Sequence, residues 1–196
     1  MALRRSVVPT RFWLLAALTL PALVGGCSRE TGPPAEPVRP AFRLEEYGGR
    51  VLDLSHERGR VVVVFFGYTN CPDVCPTTLA DFLSVKRRLG PRADAVRFAF
   101  VTVDPGRDSP DVARHYAAQF DSTFFGLSSD SVTLAGIQRQ FRAASWVGTD
   151  STGAVVVAHS ASTFVVAKDG TLLPPVRGDF TRIESLYQAV DGALRH

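Results

Sequence analysis

Only three of the 196 residues are cysteine, and two of them, Cys71 and Cys75, stand four positions apart. Secreted domains that depend on staples use several bridges closing long loops, so a structural disulfide framework is excluded. Long hydrophobic runs are scarce as well. The apolar stretch from Phe12 to Val24 is interrupted by Pro21 and falls short of the ~20 residues that span a bilayer comfortably, which argues against a permanent helical anchor. Excess charge of one sign is missing too. The formal +3 comes entirely from Arg4, Arg5 and Arg11, and beyond them 19 basic side chains face 19 acidic ones. With no basic patch interleaved with aromatics, nucleic acid is excluded as a partner. There are no internal repeats, and the length suits one globular domain plus extensions.

The first 26 residues combine a basic start, the apolar run and the small pair Gly25-Gly26 directly before Cys27, the pattern of a secretory signal. The string LVGGC resembles the lipobox of bacterial lipoproteins, which implies lipidation of Cys27 and a membrane-anchored protein of the bacterial cell envelope. Cleavage by a general signal peptidase would instead leave Cys27 as a free thiol. Both outcomes put the chain outside the cytoplasm. Residues 27–40 read as a tether, with Pro33, Pro34, Pro37 and Pro40 and almost no apolar side chains. The folded domain is expected over 41–196.

Within it, Phe42 to Leu54 reads as a hairpin turning at Gly48-Gly49. The run VVVVFF at 61–66 reads as a central strand buried on both faces. The segment TTLADFLSVKRRL, with Leu79, Phe82, Leu83 and Leu89 on one side, predicts an amphipathic helix. A second buried strand follows at 96–103, then a helix opened by Ser109-Pro110 and running through Phe120. A helix over Ser131 to Phe141, a strand, Asp-Gly turn and strand over 162–176, and a last helix from about Thr181 to Leu194 complete the chain. Strands alternating with helices predict an α/β domain whose central mixed β-sheet is flanked by helices on both faces. This order is that of the thioredoxin-like fold, in which redox cysteines sit where the first strand passes into the first helix. GYTNCPDVCP falls there.

A thiol at a helix N-terminus feels unpaired N–H groups and the positive end of the dipole, so Cys71 is expected to be the more acidic. If the stretch is helical, both sulfurs share a face one turn apart, a geometry that closes a disulfide or holds one metal ion. Pro72 and Pro76 stiffen it for either use, and Asp73 between the cysteines could act on the thiols or simply favour the helix start. The three-residue spacing departs from the two of general thiol-disulfide oxidoreductases. The stretch HSASTFVVAKDG also lacks the proline that thioredoxins place before the strand facing their active site. A peroxidase would carry a proline and a threonine or serine where Val64 and Tyr68 stand. Of the four histidines, His56, His115 and His196 sit among polar neighbours and read as surface groups. His159, after AVVVA, is either a satisfied loop histidine or a ligand. In the second case two thiolates and an imidazole form a soft trigonal set suited to copper, whereas tetrahedral zinc would want a fourth ligand.

GYTNCPDVCPTTL, VDPGRDSP at 103–110 and HSASTFVVAKDG at 159–170 resemble, in order and spacing, the three signature blocks of the Sco (SenC) family of copper proteins for cytochrome c oxidase assembly. The resemblance implies a thioredoxin-like domain that binds one copper ion, Cu(I) or Cu(II), through Cys71, Cys75 and His159. The copper would pass to the binuclear copper centre of cytochrome c oxidase subunit II or another extracytoplasmic cuproprotein. It also implies that the Cys71–Cys75 pair can form a disulfide and act as a thiol-disulfide reductase on the acceptor's cysteines. Many members carry an acidic residue before the histidine, where this chain has Ala158. Asp104 and Asp108 are expected to organise the strand-to-helix turn and not to touch the metal.

Overall fold

The computed structural model describes residues 36–178 and 182–196. The expected signal segment, Cys27, most of the expected tether and the expected start of the last helix at Thr181 lie outside the described residues. The alternation of VVVVFFG decides the architecture. Strand β3 (Val61–Gly67) is buried along its whole length, with Val61, Val63 and Phe65 in one core and Val62, Val64 and Phe66 in another. It pairs in parallel with β4 (Val96–Thr102), which pairs in parallel with β5 (Phe125–Leu127). On the other edge β8 (Thr163–Val166) runs antiparallel to β3, giving the order β5-β4-β3-β8.

Helices α1 (Val74–Leu89), α2 (Pro110–Ala118) and α4 (Arg182–Arg195) supply Leu79, Phe82, Ala113, Ala117, Leu186 and Val190 to the first core. Helix α3 (Ser131–Phe141) covers the opposite face with Leu134, Ile137 and Phe141. The hairpin of β1 (Arg43–Glu45) and β2 (Val51–Asp53) adds Leu44 and Leu52 beside them. A mixed sheet with helices on both faces is the expected α/β, thioredoxin-like arrangement. Among the described residues no helix is long and apolar enough to cross a membrane.

Three expectations needed revision. Helix α1 begins at Val74, three residues before the predicted TTLADF start. First-turn N–H groups have no partner inside a helix, so Pro76 costs no hydrogen bond and Cys75 becomes helical. Secondly, the segment after the Asp169-Gly170 turn is not a strand. It touches the sheet only through the bridges Leu172–Val166 and Val176–Thr163, because Pro174 and Pro175 between them have no N–H to donate. Thirdly, residues 145–159 form a separate hairpin of β6 (Ser145–Thr149) and β7 (Val155–His159), which hydrophobic pattern alone did not single out. His159 is thus the last residue of a strand.

Candidate metal centre

Beyond Gly67 the chain leaves the sheet in a turn in which Cys71 N–H donates to Tyr68 O at 3.2 Å. Asp73 stands at the N-cap of α1, and its carboxylate makes no capping bond to the backbone. Cys75 is fully buried in the first helical turn, whereas Cys71 is half-buried. The Cys75 N–H points at Cys71 Sγ, 3.4 Å away. From the far side, β7 brings His159, whose Nε2 lies 3.5 Å from Cys75 Sγ. The Cys71 and Cys75 sulfurs and a His159 ring nitrogen all lie within 4.8 Å of one another. Among the described residues they form the one cluster of three or more histidine, cysteine or acidic side chains able to share an ion.

The surroundings orient each donor. His159 Nδ1 lies 3.0 Å from Ser160 O, so the ring donates there and Nε2 is left with its lone pair toward the sulfurs. Phe65 and Tyr68 pack edge-on against the imidazole, with centroids 5.7 and 5.6 Å away. Arg107, ion-paired with Asp104, places its guanidinium 5.9 Å from the centre of the Tyr68 ring. The cysteine loop is tied to β4 by Asp108. This fully buried carboxylate accepts from Thr69 N–H at 2.9 Å, Thr69 Oγ1 at 2.5 Å and Thr102 Oγ1 at 2.7 Å. Asp104 and Asp108 therefore do organise the turn, as expected, but Asp108 also fixes the backbone two residues before Cys71. That link spans 39 positions, and only the parallel pairing of β3 with β4 reveals it. Gly67 is a second residue that pattern reading missed, since the approach of Cys75 Sγ to 2.8 Å from where a Cβ would stand is purely tertiary. His56, His115 and His196 lie exposed, as expected.

The two thiols are made unequal by position. Burial pushes Cys71 up, but N–H groups of Asp73, Cys75 and Val74 directed at its sulfur outweigh this and hold it below the ordinary cysteine value. Burial pushes Cys75 far up, and the negative charges of Cys71 and Asp108 add to the rise against a favourable contact with the Tyr68 backbone. The pair is therefore one partly accessible, more acidic thiol and one buried thiol that needs a cation, or a new sulfur bond, to give up its proton.

The donor set fits copper. A trigonal site with bonds of about 2.0–2.3 Å has edges of about 3.6–4 Å, so the three atoms need close by no more than about 1 Å. Two sulfurs and an imidazole are soft, and no fourth side-chain ligand completes a zinc tetrahedron among the described residues.

Fold and site together define a thioredoxin-fold protein whose dithiol and a histidine converge on one soft-metal position. The SCO1/SenC family profile matches residues 30–194, and the chain belongs to that family. It is similar to the mitochondrial SCO2 homologue of Bos taurus, 31% identical over 158 residues that cover 79% of this chain and 58% of that protein. Among solved structures it is similar to ScoI of Bradyrhizobium japonicum with copper bound, at 31% identity and TM-score 0.69, covering 81% of this chain and 98% of that one. Apo Sco1 from Thermus thermophilus is similar at 35% identity and TM-score 0.70, covering 82% and 92%.

Proposed function

We propose that this chain is a copper metallochaperone. With the cysteines reduced, Cys71, Cys75 and His159 take one copper ion, Cu(I) or Cu(II), as cargo. They pass it to the binuclear copper centre of cytochrome c oxidase subunit II or to another extracytoplasmic cuproprotein. The observation that carries this reading is the convergence of two sulfurs and Nε2 within 4.8 Å, from segments 84 positions apart. The copper held by the Bradyrhizobium japonicum relative supports the choice of metal. On this reading the domain works outside the cytoplasm, held to the membrane by lipid on Cys27.

The inequality of the thiols favours a second activity, reduction of a disulfide in the acceptor. Cys71 thiolate attacks one acceptor sulfur and expels the other as a thiolate. Cys75 sulfur then attacks Cys71 Sγ in the mixed disulfide, releasing the second acceptor thiolate and closing Cys71–Cys75. Two electrons leave the pair, its protons pass to the acceptor thiols, and His159 has no part in the balance. Anaerobic copper titration of the reduced chain separates the readings. We expect one copper per chain in the wild type, with binding collapsing in Cys71→Ala, Cys75→Ala and His159→Ala. Full binding by His159→Ala would sink the three-ligand site, and a reduced wild type that binds no copper would leave reduction as the function.

A further inference from the structure

The β6–β7 ribbon carries a ligand yet stands outside the central sheet, pairing with no strand but itself among the described residues. Its register sets Ser145 opposite His159, Trp146 opposite Ala158 and Gly148 opposite Val156. Strand alternation then puts Val157 and His159 on the face turned to the core and the cysteines, and Trp146, Gly148, Val156 and Ala158 on the outward face. Trp146 is 57% exposed and Val156 40%, while Ala158 is also exposed. The indole is not loose. A Cβ at Gly148 would fall 2.1 Å from Trp146 Cζ2, so the ring lies along the ribbon over the space that glycine leaves. Ala144, Ser145, Trp146, Ala158, His159 and Ser160 border a shallow hollow of about 320 Å³ at the base of the ribbon.

We propose that this outward face is where the protein exchanging copper with this chain docks, presenting an uncharged, apolar patch to Trp146 and Val156. The inference rests on the metallochaperone reading and adds the surface and the chemistry of the partner. Cys75 is fully buried, so incoming donor atoms must approach along the rim, and the ribbon is the rim on the histidine side. Between Ala143 and Ala167 the only acid or base besides His159 is Asp150, at the ribbon tip, so charge does not steer the encounter. That tip, Asp150-Ser151-Thr152-Gly153, is polar and holds the ribbon's one carboxylate, which disfavours insertion into lipid. Two strands of five residues span about 16 Å by 10 Å. Such a face buries a few hundred Å² per partner, below the ~1,000 Å² in total that a stable homodimer needs and in the range of brief encounters. A handover requires a partner that leaves, and a single exposed tryptophan is a fitting anchor.

The test compares copper-loaded full chains, wild type against Trp146→Gln and Val156→Thr, with Val132→Ser on exposed α3 as the control. Two acceptors are used: the copper-binding domain of cytochrome c oxidase subunit II, and the chelator bathocuproine disulfonate, which needs no docking. We expect the ribbon variants to slow transfer to the protein at least tenfold, while chelator extraction and copper stoichiometry stay within twofold of wild type. Transfer to the protein that the variants leave undiminished overturns the docking surface alone, and equal slowing toward the chelator does so too. A reduced wild type that loads no copper overturns the metallochaperone reading and the docking surface with it, and a wild type that loads copper but passes none to the protein acceptor overturns the docking surface. Loss of binding to phosphatidylethanolamine–phosphatidylglycerol vesicles in the variants, with transfer intact, overturns it in favour of a lipid surface.

Discussion

Replacing Gly67 by alanine tests how closely the buried sulfur is positioned. A Cβ at Gly67 falls 2.8 Å from Cys75 Sγ, 2.8 Å from Phe65 Cε1 and 3.0 Å from Phe100 Cε2. Carbon reaches its neighbours comfortably at about 3.5 Å or more, so the sulfur or a ring must retreat by roughly 0.7 Å. Neither has free space, because Cys75 and Phe65 are fully buried and Phe100 nearly so. Overpacking of this kind costs about 1–3 kcal/mol, which for a domain of this size lowers Tm by roughly 2–12 °C. The copper effect is separate. Metal sites tolerate a few tenths of an ångström in ligand position, so a displaced Cys75 Sγ should weaken copper about 10- to 100-fold, as loss of an outer supporting contact does. Melting of the metal-free chain and competitive copper titration read the two effects. Gly106→Ala serves as comparator, since its Cβ would meet nothing nearer than Asp104 Oδ1 at 3.9 Å. A Gly67→Ala chain that melts lower but binds copper within twofold of wild type would refute the link between this contact and the site. Wild-type values of both would refute the packing argument itself.

The thiols should also separate by pH. Hydrogen bonds to the Cys71 sulfur favour its thiolate, so iodoacetamide labelling followed by peptide mass mapping should give Cys71 a midpoint below that of an ordinary cysteine. Cys75, held protonated by burial, should stay unlabelled until much higher pH, and faster labelling of Cys75 would contradict the assignment. Because copper displaces at least the Cys75 proton, apparent affinity should rise by at least about tenfold per pH unit near neutrality, measurable by chelator competition. Asp108→Ala removes the acceptor shared by the Thr69 N–H and the Thr69 and Thr102 hydroxyls, leaving the Thr69 N–H without its partner. We expect about 1–3 kcal/mol of lost stability and 10- to 100-fold weaker copper, read by melting and titration. Gly192, inside α4 with open space around its Cα, should accept alanine with a gain of about 0.5–1 kcal/mol and an unchanged copper site.

The sequence by itself determined the elements whose signals are local. The run at 61–66 announces a strand buried on both faces because every residue is apolar and most are β-branched, and the structure splits it between two cores. Ser109-Pro110 and the glycines at 48 and 49 mark a helix start and a turn through chemistry confined to a few neighbours. The paired cysteines ahead of an amphipathic helix were legible for the same reason. Other features depend on what lies opposite. The β6–β7 hairpin has no buried face strong enough to impose a period, and the proline pair at 174–175 breaks a strand that β-branched content alone suggests. The site itself belongs to this second kind. Residue type left His159 open between a ligand and a packed histidine. Only the fold brings its Nε2 to the sulfur of Cys75, 84 positions away, and turns its other nitrogen to Ser160. The same tertiary packing makes the two cysteines unequal, since burial and N–H direction are properties of place and not of spacing.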